Sequence, residues 1–301
     1  GLQHLMFGAQ FNQSLQNVNL PDSLQSLTLG DGFTQNLVEM SWPQSLQNLT
    51  FGAQFNQSLQ RITFSRSIQF FAFDERWRES LEHVALPNTL EELTLGAQFN
   101  QNLEGVCWPQ SLRTLTFGEH FNRRLDYVDL PSSLCTLTFG AEFNQSLERV
   151  TLPKKLESLT LGRMFNQGLD SVSFPSTLRS LTLGAEFNQS LEHVNLPDSL
   201  ESLTFGEKFN QDLQHVSFPS GLQHLMFGAQ FNQSLQNVNL PDSLRTLKLG
   251  ASFTETFEGV NLPSGLEKLA LRRSNPLMLR SVGFPRNLKS LVFGGISVSC
   301  A

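Results

Sequence analysis

Apolar residues recur along the chain at a fixed spacing of 22. In the stretch 45–66 they fall at Leu46, Leu49, Phe51, Phe55, Leu59, Ile62 and Phe64, and the same positions are apolar along almost all of the chain, Asn275 being an exception. Leu49-Thr50-Phe51 and Ile62-Thr63-Phe64 alternate in and out, which is the period of a strand, and neither segment is long enough for a helix. The pattern predicts two short parallel strands per coil, strand A over about 48–51 and strand B over about 61–64. So strict a period predicts an all-β, right-handed solenoid, and 301 residues hold about 13 such coils. Each coil contacts only its neighbours, so residues 1–301 are expected to form a single solenoid domain.

Single residue types mark the corners. A glycine column runs through Gly8, Gly30, Gly52 and Gly96 to Gly250 and Gly294, broken at Asp74 and Arg272. Glycine there is expected to supply a positive φ. A proline column (Pro21, Pro43, Pro87 and onward, with Ser65 the exception) closes strand B, because proline has no donor to continue a ladder. The arc after glycine carries Phe11, Phe33, Phe55, Trp77, Phe99 and their successors, which would stack as an apolar spine. Asparagine follows at Asn56, Asn100, Asn122, Asn144, Asn166, Asn188, Asn210 and Asn232, with Thr34, Arg78 and Pro276 among the departures. An amide both donates and accepts, so this column is expected to be an inward ladder that satisfies backbone groups no sheet reaches. Asn144→Ala should then cost about 1–3 kcal/mol, and Gln145→Ala, taken as a surface change, much less.

Two coils are irregular. Residues 65–80 (SRSIQFFAFDERWRES) lose proline, glycine and asparagine together, place Phe70 outward and add Arg66, Arg76 and Arg78. An exposed aromatic beside arginine is the chemistry of a docking site. Residues 272–277 (RRSNPL) open a C-terminal cap expected over about 272–301, since a terminal coil must cover its open edge.

The phrases Phe-Asn-Gln-Ser-Leu and Leu-Pro-x-Ser-Leu-x-x-Leu-x-Phe-Gly resemble FNIP repeats, a leucine-rich-repeat-like family of 22-residue units in long arrays. The chain departs from that pattern after Phe-Asn, where the family favours Pro and this sequence usually has Ser, as at Ser58. The Leu-x-x-Val-x-Leu-Pro phrase is also similar to leucine-rich repeats of bacterial surface proteins. The resemblance implies a leucine-rich-repeat-like fold and a binding array, sometimes joined to an F-box or kinase domain. It implies no catalytic residue.

The formal charge of −6 argues against nucleic acid, which recruits clustered Lys and Arg. No apolar run approaches the roughly 18 residues of a membrane span. Residues 1–24 repeat 221–244 identically, so the sequence opens in mid-period and is expected to be part of a longer chain. Cys107, Cys135 and Cys300 share no repeat position, which suits a reducing compartment. Asn12, Asn56, Asn144, Asn188 and Asn232 each begin Asn-Gln-Ser, a formal glycosylation acceptor, yet the ladder would leave a glycan no room. A cytoplasmic location is the expectation.

No active-site constellation stands out against the repeat. His83, His193 and His215 share one outward column of strand B without a fixed third ligand, so they read as surface histidines. The glycines form no phosphate cradle. No enzyme activity, metal or cofactor is expected. Other outward positions of strand B vary (Glu39, Arg61, Tyr127, Arg149), as a recognition surface requires. Beside them runs an acidic column through Glu82, Glu104, Asp126, Glu148, Asp170 and Glu192. Charges at a strand spacing of about 4.8 Å repel by roughly 0.9 kcal/mol in water, so the column is either a splayed, solvated edge or a site for a basic partner. The function expected is a protein-interaction scaffold that reads its partner with strand B. A second reading is a surface-binding array, for ice, glycan or another repetitive lattice, using the Thr94, Thr116, Thr138, Thr160, Thr182 and Thr204 column of strand A.

Overall fold

A computed structural model of the chain describes residues 1–272, 279, 282–294 and 296–299. It divides into two units, Gly1–Gln145 and Ser146–Ala301. Among the described residues there is no α-helix. Strands form where the Leu-x-Phe or Leu-x-Leu alternation predicts strand A. The first unit holds β1 (His4–Met6), β2 (Ser26–Thr28), β3 (Asn48–Phe51), β4 (Phe70–Phe73), β5 (Glu92–Thr94), β6 (Thr114–Thr116) and β7 (Thr136–Thr138). Within this unit consecutive strands pair in parallel, leucine on leucine as in Leu27 with Leu49 and Leu93 with Leu115, except at β4, where Phe71 stands between Leu49 and Leu93. The second unit repeats this with β8 (Ser158–Thr160), β9 (Ser180–Thr182), β10 (Ser202–Thr204), β11 (His224–Met226), β12 (Thr246–Leu249), β13 (Lys268–Leu271) and β14 (Ser290–Phe293).

Its last strand, β15 (Ile296–Ser299), runs antiparallel to β14. This hairpin occupies the end of the parallel ladder within the expected cap. Most of the RRSNPL segment lies outside the described residues, as does Cys300.

Among the described residues strand B does not form. Ile62 N–H donates to Leu59 O at 3.1 Å, and Val84, Val150, Val194 and Val216 N–H donate likewise to the residue three before. Each bond closes a β-turn and takes the donor that a second ladder would need. The turns carry a cap that the sequence reading missed. The side chain two residues before the turn's second position accepts its N–H, as in Glu82 N–H to Ser80 Oγ at 3.0 Å and Val38 N–H to Asn36 Oδ1 at 2.8 Å. The Ser of Asn-Gln-Ser-Leu is therefore a turn-capping residue.

The glycine column also works differently from the expectation. Among the described residues the only positive-φ member of that column is Gly294 (φ 60). What the position needs is room. A Cβ built on Gly118 would lie 2.0 Å from Gly96 O, and one on Gly206 would lie 1.9 Å from Gly184 O. Successive coils touch backbone to backbone there.

The core is the central leucine of β2 to β13, with Phe71 in its place in β4, together with the aromatic spine. Phe33, Phe55, Trp77, Phe99, Phe121 and Phe143 are fully buried in the first unit, and Phe165, Phe187, Phe209 and Phe231 in the second. Their rings lie parallel and offset, with centroids at 6.2 Å for Phe165–Phe187 and 6.1 Å for Phe187–Phe209. Between coils, the serine or threonine after the proline corner donates to a leucine carbonyl of the preceding coil. Ser111 Oγ donates to Leu90 O at 2.7 Å and Ser199 Oγ to Leu178 O at 2.7 Å.

Candidate interaction surface

The asparagines form a ladder at the mouth of the arc, half-buried rather than enclosed. In the first unit Asn122 N–H donates to Asn100 Oδ1 at 3.0 Å and Asn144 N–H to Asn122 Oδ1 at 2.9 Å. In the second, Asn188, Asn210 and Asn232 N–H donate to the Oδ1 of Asn166, Asn188 and Asn210. The following glutamine belongs to the ladder too. Gln145 Nε2 donates to Asn122 Oδ1 at 2.9 Å, and Gln211 Nε2 reaches Asn188 Oδ1 at 3.1 Å, so Gln145 is not the bystander the sequence suggested. Asn188→Ala strands the Asn210 N–H and should destabilise by about 1–3 kcal/mol. Gln189→Ala removes one donor to Asn166 and should cost about 1 kcal/mol. Denaturant unfolding of the two variants checks the order, and equal losses would contradict a ladder carried by asparagine.

Glu39, Arg61, His83 and Tyr127 in the first unit, and Arg149, His193 and His215 in the second, are all exposed. They stand not on a strand but at the third position of the Leu-x-x-Val turns. Among the described residues every positive φ other than that of Gly294 lies in this column: Asn17 (62), Glu39 (66), His83 (61), Gly105 (76), Asn237 (61) and Gly259 (71). Asn and Gly adopt that geometry readily, whereas Glu39 and His83 hold it at a cost.

The acidic residues occupy the turn's second position. Glu104 and Glu148 are exposed, while the Asp126 side chain is only 8% exposed and pairs with Arg124. His83 Nε2 approaches Glu82 Oε1 at 3.3 Å. Part of the acidic column is thus neutralised locally.

A further charge column lies before strand A in the second unit. Glu267 accepts from Arg245 at 2.8 Å and from Lys289 at 2.8 Å, and the Lys289 hydrogen bond, first among the causes, holds its carboxyl below the usual range.

In the irregular coil, β4 keeps the frame. Phe70 faces outward between Asn48 and Glu92 but is half-buried, not the open aromatic expected. Trp77 takes the spine position and donates its indole N–H to Gln57 O at 3.3 Å. Ser67 Oγ donates to Leu46 O at 2.8 Å, keeping the bond to the preceding coil although Ser65 replaces proline. Arg76 and Arg78 are exposed. Arg78 N–H still donates to Asn56 Oδ1 at 3.0 Å, but its side chain offers Asn100 no amide acceptor, so the ladder skips a rung.

The model for the FNIP repeat matches nine overlapping segments that together span 1–54 and 99–274. The chain belongs to the FNIP repeat family. The unmatched stretch 55–98 contains the irregular coil. Among solved structures, CroV588, described as a novel circular LRR protein, is 32% identical with a TM-score of 0.55, covering 97% of this chain and 53% of that one. The present FNIP-repeat chain therefore spans about half the length of that relative. An internalin from Listeria monocytogenes, 16% identical with a TM-score of 0.53 over 96% of this chain and 75% of that one, shares the fold. A comparison with curated proteins gives no match. No helix among the described residues is long and apolar enough to cross a membrane, and no group of three or more His, Cys, Asp or Glu among them is placed to hold a metal.

Proposed function

We propose that this FNIP-repeat array is a non-catalytic scaffold for protein–protein interaction, and that the crests of its Leu-x-x-Val turns are the recognition surface. The observation that carries this reading is the crest column itself. Its side chains vary and are exposed, and Glu39 and His83 stay at φ 66 and 61 where Gly105 and Gly259 meet the same backbone demand without strain. A left-handed conformation costs an L-residue about 1–2 kcal/mol. Keeping a charged or imidazole side chain at that cost fits a surface chosen for what it touches. The frame beneath is uniform, which lets one architecture carry many crest sequences.

The cytosol is the compartment we infer. Cys107 and Cys135 are free, and the ladder asparagines of the Asn-Gln-Ser acceptors are half-buried.

A second reading has its own observation. Thr94, Thr116 and Thr138 in one unit, and Thr160, Thr182 and Thr204 in the other, lie on the outward face of the parallel ladder. Regular hydroxyls of this kind suit a repetitive lattice such as ice or a glycan. Photocrosslinking residues placed at 61, 127 and 193, and separately at 116 and 182, distinguish the two in an extract of the source organism. A discrete protein adduct from the crest positions alone is expected. Adducts from the strand face alone would overturn the crest reading.

A further inference from the structure

We propose that the arc of the irregular coil is an oxyanion pocket that takes an acidic side chain, a carboxylate or a phosphorylated serine, from an extended segment of a protein partner. This rests on the scaffold reading and names a partner chemistry for one part of it.

The pocket lies within the first unit and has a volume of about 490 Å³. Its walls include Gln54, Asn56, Glu75, Arg76, Arg78 and Gln98. Residues two apart on the arc, such as Arg76 and Arg78, project outward from either side of the buried Trp77. The two flanking coils place amides at these positions, Gln54 and Asn56 on one side and Gln98 and Asn100 on the other. Two arginines there raise the walls and turn a shallow track into a pocket.

The donors are uncommitted. Among the described residues neither guanidinium lies within ion-pair distance of a carboxylate. Arg76 makes one long bond, from Nη1 to Gln54 Oε1 at 3.4 Å. Asn56 has its Oδ1 occupied by the Arg78 N–H, which leaves its Nδ2 to face a ligand. Guanidinium forks suit the two oxygens of a carboxylate or the three of a phosphate. The only carboxylate on the walls, Glu75, opposes an anion and would limit its affinity.

The coil keeps its buried residues and changes its exposed ones. Phe71, Phe73 and Trp77 maintain the core, while Asp74 leaves the glycine column and Arg78 the asparagine column, Arg76 adds a second guanidinium at a variable position, and the family matches skip this stretch. Arg78 also forgoes a rung of the ladder. That is a structural cost with no structural return.

The neighbouring coils supply substitutions that the fold should accept. Arg76→Gln restores the residue type of positions 54 and 98, Arg78→Asn restores the ladder amide, and Glu75→Ala matches Ala53 and Ala97. A random peptide library, selected on the full chain with and without serine phosphorylation, tests the pocket. Enrichment of acidic peptides is expected, with binding reduced at least tenfold by Arg76→Gln/Arg78→Asn, increased by Glu75→Ala, and weakened as salt rises. Which arm enriches more separates carboxylate from phosphate. Acidic peptides that bind the double variant equally well would overturn the pocket. Enriched peptides that are not acidic, and lose binding only when crest residues are changed, would overturn it while leaving the scaffold reading in place. Absence of any enriched peptide would count against both.

Discussion

Phe187→Ala is expected to cost about 3–5 kcal/mol, the range for deleting a fully buried aromatic side chain. The ring is 0% exposed and lies between Phe165 at 6.2 Å and Phe209 at 6.1 Å. Strand leucines on one side and the ladder asparagines on the other are held by their own hydrogen bonds, so the coil has little freedom to collapse into the void. Because each coil leans only on its neighbours, the damage should be local. Hydrogen exchange should accelerate in the coils holding Phe165, Phe187 and Phe209 before it does around Phe253. A loss below about 1 kcal/mol in denaturant unfolding would show that the spine is loosely packed.

Gly206→Ala should be nearly as damaging for the opposite reason. The added Cβ would sit 1.9 Å from Gly184 O, 2.4 Å from Gly184 C and 2.6 Å from Ala185 Cα. These are backbone atoms of the preceding coil, and they yield only if the two coils separate and stretch the β9–β10 pairing. A cost of about 3 kcal/mol or more is expected, at the upper end of overpacking. Gly168→Ala is the control, since its Cβ would meet only the movable Asp170 Oδ1 at 2.9 Å. That change should be neutral or stabilise by about 0.4–1 kcal/mol, through reduced freedom of the unfolded chain. Thermal unfolding of the pair should therefore separate them in sign, and similar midpoints would refute the close-approach account.

Much of this frame was legible before any coordinates. The leucine and phenylalanine spacing places the strands and the spine, and the asparagine column announces its ladder because an amide both donates and accepts and so serves both sides of a stacked rung. The turn in place of strand B is illegible in the apolar spacing because Ile62-Thr63-Phe64 alternates like a strand while its first N–H is already spent on Leu59 O. The correcting signal is present: Ser, Asn or Asp recurs two residues before the turn's second position, and Asn17, Gly105, Asn237 and Gly259 are the residue types that favour a positive φ. The glycine column was assigned to the wrong cause, since sequence alone cannot tell a positive φ from a close approach. Gln145 and its equivalents were passed over because glutamine is ordinarily a surface residue; their bonds appear only once the coils are stacked. Phe70 stands on the expected outward face, in register between Asn48 and Glu92, but is half-buried there.

The central claim is that the frame and the recognition surface are separate sets of residues. Replacing Glu39, Arg61, His83, Tyr127, Arg149, His193 and His215 together with asparagine, the residue at positions 17 and 237, tests it in one protein. Asparagine tolerates both backbone forms of the turn and leaves every column of the frame untouched. Measured by calorimetry against the partner identified by crosslinking, the variant should keep or raise its unfolding midpoint and lose at least tenfold in affinity. Unchanged affinity, or a frame that no longer folds, would contradict the account.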